Sequence, residues 1–182
     1  RCLYLTFQLL EMEIPVILNP NMMDVVENRN IIIDMKSLSK RLGIPVIPSA
    51  MKKGEGKKEL MAAIESISGD RDKTVPVRVD YKEMEPYLRD IRNLLDKETD
   101  LGETYPLRWM AVKLMEEDEA VQEIIREYRG TGPELIEKID AIQKSFETEL
   151  DTEAEMHVAS CRYAAAEGIT RPCVTHPAQP KR

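Results

Sequence analysis

The chain has 182 residues, enough for one ordinary domain or two small ones; it is 42% hydrophobic and 32% charged, and with one Trp and two Phe its core must come from aliphatic side chains and ten Met. A formal net charge of −7 leaves no broad basic field to neutralise phosphates, which argues against a nucleic-acid binder. Three Cys (Cys2, Cys161, Cys173) without a Cys-x-x-Cys pair favour free thiols in a reducing compartment, and no apolar run approaches the ~18–20 residues of a bilayer span or forms a signal peptide.

The sequence starts at Arg1 inside a helical pattern, Leu3 to Met12, which reads as a fragment. Pro15 closes that helix, and Val16-Ile17-Leu18 has the continuous apolar character of a strand buried on both faces. The strand delivers Asn21-Met22-Met23-Asp24. A carboxylate at Asp24 can accept from the ring N–H and the exocyclic amine of guanine together, a bidentate pair that adenine cannot reproduce. Asn21, with one acceptor and two donors, suits the task of tying such a loop to its neighbours and reaching the purine edge. Taken alone, the tetrapeptide reads by default as a turn or helix cap.

Asp34 is placed to cap a helix carrying Leu38 and Leu42, with Gly43 as its stop. A second short strand, Ile44 to Ile47, leads into Pro48-Ser49-Ala50-Met51-Lys52-Lys53-Gly54-Glu55-Gly56, where backbone N–H groups around Ser49, Ala50 and Met51 can meet a purine carbonyl oxygen. Taken alone, this loop reads by default as an ordinary strand-to-helix turn. Leu60, Ile64 and Ile67 then mark a helix. Two parallel strands, each followed by a loop and a helix, bring both loops to the carboxyl edge of one sheet, where they can share a ligand.

After a polar linker, 69–76, the pattern becomes purely helical. Met84, Leu88, Ile91 and Leu95 define one helix; Leu107, Met110, Leu114 and Met115 a second; Val121, Ile124, Ile125 and Tyr128 a third. Past Gly130-Thr131-Gly132-Pro133, a fourth carries Leu135, Ile136, Ile139, Ile142 and Phe146, with Pro133 in its first turn, and a fifth runs from about Glu153 to a stop at Gly168. The expected organisation is therefore residues 1–68 as part of an α/β nucleotide-binding domain, 77–170 as an all-α bundle and 171–182 as an unstructured tail.

These segments resemble the cytosolic GTPase domain of ferrous iron transport protein B, the prokaryotic Fe(II) transporter, over nearly the whole chain. The resemblance rests on Leu3 to Glu11, on Ile14-Pro15-Val16 through Asn21-Met22-Met23-Asp24, on Asp34 to Leu42 with Gly43-Ile44-Pro45-Val46-Ile47-Pro48, and on Lys53-Gly54-Glu55-Gly56. In the helical half it adds Tyr105-Pro106-Leu107-Arg108-Trp109, Lys113 to Glu116, Arg162-Tyr163-Ala164 and Gly168-Ile169. Met22 is its diagnostic residue, standing where most GTPases have Lys. The chain departs from the family at Asn19-Pro20, where small apolar residues are usual, and in a second loop that comes one position early relative to Gly54.

The resemblance implies a partial P-loop GTPase fold followed by a helical bundle of the kind described in the family as a dissociation inhibitor. It implies guanine binding through Asn21, Met22 and Asp24, with Ser49, Ala50 or Met51 as the second contact, and GTP or GDP as ligand. The membrane-embedded part of the iron transporter is the implied partner, on the cytoplasmic side of the cell membrane, with room for a homo-oligomer through the parent protein. No Gly-x-x-x-x-Gly-Lys-Ser/Thr, switch threonine or Asp-x-x-Gly motif is assigned, so Mg²⁺ is expected only with a phosphate-binding half, and no catalytic or metal-ligating residue is assigned. A non-catalytic helical interaction module and a different regulatory GTPase, such as a ribosome-assembly type, are the competing readings. His157 with Cys161, and Cys173 with His176, read as helix and tail residues before metal ligands; the run Glu116-Glu117-Asp118-Glu119 reads as a solvated helix end.

Overall fold

The computed structural model describes residues 2–69 and 76–175, which form two compact units: residues 2–10, 14–69, 76–78 and 165–175, and residues 11–13 and 79–164. Most of the expected linker lies outside the described residues, as do His176 and the rest of the tail.

The first unit contains most of α1 (Cys2–Glu11), then α2 (Met23–Asn28), β1 (Ile32–Ile33), α3 (Met35–Leu42) and α4 (Lys57–Gly69). α3 has the expected ends. The Asp34 carboxylate accepts from the Ser37 amide at 2.9 Å, and Gly43, at φ 69°, donates to Ser39 O at 2.9 Å, while Leu38 and Leu42 are buried between these caps. Both predicted strands are parallel neighbours but are reduced to a single bridge, Leu18 opposite Val46, with Leu18 N donating to Pro45 O (3.0 Å) and Ile47 N to Leu18 O (2.9 Å). Val16, Ile17 and Leu18 are only half-buried. Parallel strands are stable where both faces of the sheet are covered, and the half-burial of these residues shows that coverage to be incomplete among the described residues.

Two further features concern exposure and the chain end. Ile64 on α4 is 45% exposed and Leu5 on α1 58%, so these apolar faces are open among the described residues. An unstructured tail from residue 171 does not hold for 171–175: the fifth predicted helix runs to Thr170, Cys173 is buried, and β2 (Val174–Thr175) pairs antiparallel with β1, Ile33 opposite Val174 and Ile32 opposite Thr175. Pairing satisfies backbone groups that a two-residue edge would leave bare, and the Asp34 amide donating to Cys173 O at 2.8 Å extends it.

The second unit is built from α5 (Glu85–Glu98), α6 (Leu107–Met115), α7 (Glu119–Arg126), α8 (Gly132–Leu150) and the larger part of α9 (Ala154–Thr170). Most of the residues the periodicity marks form its core: Met84, Leu88, Ile91, Leu95, Met110, Leu114, Met115, Val121, Ile125, Leu135, Ile139 and Phe146 are buried, while Leu107, Ile124, Tyr128, Ile136 and Ile142 are half-buried at its edge. Gly132 allows the turn into α8, because a Cβ there would sit 2.3 Å from the carbonyl oxygens of Ile125 and Arg126.

A charge cluster also lies inside this unit. Arg162 is fully buried, with Nη1 2.5 Å from Glu116 Oε1 and Nη2 2.8 Å from Glu11 Oε2; Lys113 adds a contact to Glu116 at 3.5 Å. The Tyr81 hydroxyl donates to Glu11, and its ring lies under both Arg108 (5.6 Å) and Arg162 (5.9 Å). Burial and the Glu11 carboxylate hold the Tyr81 phenol far above its ordinary range. Burial disfavours the Arg162 charge, but Glu116, Tyr81 and Glu11 outweigh it, so the guanidinium stays charged.

Candidate functional site

The two loops predicted to share a ligand do meet. Ser49 N donates to Pro20 O at 2.8 Å, and Met23 N donates back to Ser49 O at 3.1 Å, so the backbones of the two loops are stitched together. Between them lies Asn21, whose Oδ1 accepts from the Met22 amide (2.8 Å), the Ser49 hydroxyl (3.3 Å) and the Met51 amide (3.3 Å). Three donors around Oδ1 orient the carboxamide and leave Nδ2 with no protein acceptor among the described residues. Met22 adopts a left-handed backbone, φ 62°, and is 55% exposed at the start of α2. Asp24 falls in the first turn of that helix, its carboxylate 3.8 Å from Lys53 Nζ and about one quarter exposed.

The second loop is held by its own turn. Ala50 N donates to Glu55 O at 3.2 Å, and Gly54 and Gly56 take φ of 74° and 81°. Gly56 passes so close that a Cβ would be 2.4 Å from Pro48 O, which explains the Lys-Lys-Gly-Glu-Gly sequence better than general flexibility. Ser49 and Ala50 are buried, while Met51 is 39% exposed.

All six residues read from the sequence therefore gather in one place, but with an order the sequence did not give. The amides of Ser49, Ala50 and Met51 all donate within the protein, and Met51's is the longest of the three bonds and the exposed one. Two contributors were missed. Asn19 donates through Nδ2 to Ile47 O at 2.6 Å and accepts from the Ser49 hydroxyl at 3.1 Å, clamping one loop to the other, and Lys53 sits beside Asp24. The signal for Asn19 was available: an amide directly after an apolar strand, where apolar neighbours are usual, can serve as both donor and acceptor.

Among the described residues the phosphate side of a nucleotide site has no counterpart. The 182 residues contain no Gly-x-x-x-x-Gly-Lys-Ser/Thr, and among the described residues no group of three or more His, Cys, Asp or Glu could hold a metal ion. His157 and Cys161 do approach, Nε2 to Sγ 3.5 Å, but Nε2 also lies 2.9 Å from Tyr81 O, which a ring N–H explains, and burial pushes the Cys161 thiol up. Among the described residues no helix is long and apolar enough to cross a membrane.

A partial α/β unit of the GTPase kind, ending in two stitched loops and accompanied by a helical bundle, is the class that the fold and site define. The chain belongs to the FeoB family: the family described as ferrous iron transport protein B matches residues 1–64, and that described as the FeoB cytosolic helical domain matches residues 81–175. It is 33% identical to the Fe(2+) transporter FeoB of Salmonella typhimurium over 172 residues, 93% of this chain and 20% of that protein. It is 36% identical to the Fe(2+) transport protein A/Fe(2+) transporter FeoB fusion protein of Porphyromonas gingivalis over 129 residues, 70% of this chain and 15% of that one. The chain thus spans a fifth or less of the length of these relatives.

Among solved structures, mGMPPNP-bound NFeoB from S. thermophilus superposes with a TM-score of 0.77 at 26% identity, over 97% of this chain and 64% of that one. The cytosolic domain of the T. maritima FeoB iron transporter in apo form gives 0.74 at 23% identity, over 95% and 62%, a likeness of fold.

Proposed function

We propose that residues 19–24 and 47–56 read the guanine base of GTP or GDP, as the base-specificity half of the regulatory GTPase in a ferrous iron transporter. The observation that carries this reading is Asn21: its oxygen is consumed by both loops, so its amine is left to donate to an acceptor on the purine edge. Asp24, in the first turn of α2, supplies a carboxylate for the guanine N–H and amine, and the exposed stem of Met22 can cover the base. The Met51 amide is the second-loop donor best placed to turn toward a purine carbonyl oxygen, since its present bond is long and exposed. Lys53 balances the Asp24 charge before ligand arrives. No phosphate or metal step is assigned to these residues.

The relatives are Fe(2+) transporters, and the solved neighbours include GDP- and mGMPPNP-bound forms. On that basis the chain's larger role is to couple guanine nucleotide to iron transport, with the membrane-embedded part of such a transporter as partner. The base-reading assignment is tested by saturation-transfer NMR of the 182-residue chain with guanosine and adenosine. Guanosine is expected to receive magnetisation, adenosine little, and Asp24→Ala to remove the difference; equal transfer to both nucleosides in the wild-type chain would overturn the reading.

A further inference from the structure

In the second unit, Glu85, Leu88, Arg89 and Arg92 follow one another on one face of α5 and, with Arg108 of α6, line a surface cavity of about 200 Å³. Arg108 is fixed: Nη1 and Nη2 hold Glu85 bidentately at 2.7 and 2.8 Å, and Nη2 also donates to Val79 O at 2.9 Å. Those three bonds leave two of the five guanidinium N–H donors unused among the described residues. Arg89 and Arg92 are exposed and form no ion pair among the described residues, although the chain has 33 acidic against 26 basic side chains. Three arginines against one already engaged glutamate give the lining a formal charge of +2.

We propose that this cavity binds a phosphomonoester group. Its charge of about −1.5 to −2 at neutral pH matches the lining, whereas a carboxylate neutralises only half of it. Planar guanidinium forks pair bidentately with phosphate oxygens, and this geometry distinguishes arginine from lysine in such a role. The volume fits a phosphate head and its waters but is smaller than the ~300–1,000 Å³ of pockets that enclose drug-sized ligands. The net negative charge of the chain does not forbid binding, because at physiological salt fields are screened over about 8 Å and the local lining decides. The phosphomonoester can come from a soluble phosphate ester or from a phosphatidic acid headgroup.

The test is a titration of the ¹⁵N-labelled 182-residue chain with glycerol 1-phosphate, read at the arginine Nε–H and backbone amides. Saturable shifts at Arg89, Arg92 and Arg108 are expected, and the double variant Arg89→Gln/Arg92→Gln should weaken binding by about tenfold or more at unchanged helix content by circular dichroism. Arg89→Lys/Arg92→Lys, which keeps charge but loses the fork, should fall between. Cosedimentation with phosphatidylcholine vesicles, with and without phosphatidic acid, separates the sources: binding only with phosphatidic acid assigns the headgroup, and binding to neither a soluble ester's role. Absence of saturable shifts at these arginines, or the same affinity in the Gln double variant, would overturn the proposal; none of these readouts involves guanine.

Discussion

The Asn21 Oδ1 atom lies 3.3 Å from Ser49 Oγ and 3.3 Å from the Met51 amide, so one side chain joins two loops separated by a helix, a strand and another helix. Because both loops depend on it, Asn21→Ala and Ser49→Ala should not add. A double-mutant cycle read by amide exchange in residues 44–56 is expected to give a coupling of about 0.5–3 kcal/mol. Additive losses would mean that the loops are held by their backbone bonds alone.

Asp24→Asn should exchange guanosine for xanthosine preference. The carboxylate only accepts, whereas the amide offers a donor for the extra oxygen of xanthine and loses one acceptor for the guanine amine. Each charged hydrogen bond lost to guanine costs about 1.5–3 kcal/mol, enough for a drop of tenfold or more in a competition titration. Retained guanosine preference in the Asn variant would remove Asp24 from the base contact.

What was legible in the sequence was set by short-range rules. Asp34 and Gly43 could be read as caps because both act on backbone groups within one turn, and the Leu88, Ile91 and Leu95 face could be read because helical period and burial coincide inside one bundle. The six candidate site residues converged for a similar reason: each loop follows an apolar strand, and parallel strands place their loops on one edge. Long-range pairing was not legible. Nothing local to Val174 specifies Ile33 as its partner, and the Arg162 contacts with Glu11 and Glu116 bring together residues far apart in the chain. The exposure of Ile64 was not legible either, because periodicity marks a face without saying what covers it.

Arg162 is expected to be the most sensitive charged position of the helical unit. Its replacement by Met leaves Glu11 and Glu116, each about one tenth exposed, facing one another without their shared cation. Breaking a buried ion cluster by removing one partner costs about 3–5 kcal/mol. Urea unfolding followed by helical circular dichroism checks this, and Arg162→Lys should recover only part of the loss because an ammonium cannot hold both carboxylates in the same planar geometry.

Asp118 gives the helical unit a defined acid sensitivity. Burial works against its charge, but the hydrogen bond from Lys113 and the Val121 amide prevail and hold its carboxyl below the ordinary value. A carboxyl lowered in the folded state adds stability above its unfolded value of about 3.9, and that stability is lost as pH falls through the folded value. Asp118→Asn keeps a helix cap while removing the charge, so it should be less stable than wild type at neutral pH, with the gap closing in acid. Thermal melts across that range check the sign; a gap that persists unchanged at low pH would show that the cap, not the charge, is responsible.

The 182-residue chain is expected to show no Mg²⁺-dependent GTP turnover, while residues 79–164 resist proteolysis as a unit. Hydrolysis requires backbone amides that cradle the phosphates and a positioned Mg²⁺, and the sequence contains neither the phosphate loop nor, among described residues, a metal-ligand cluster. The helical unit, by contrast, buries Met84, Leu88, Ile91, Leu95, Met110, Leu114, Val121, Ile125, Leu135, Ile139 and Phe146. Side chains this enclosed give a helix bundle its own cooperative core. The first unit has its apolar faces at Leu5 and Ile64 open, and its cleavage should come first. Limited proteolysis and a phosphate-release assay on one sample read both halves of this expectation. Turnover above buffer would reveal a phosphate site made from other residues, and early cuts within 85–150 would show that the bundle is not the stable part.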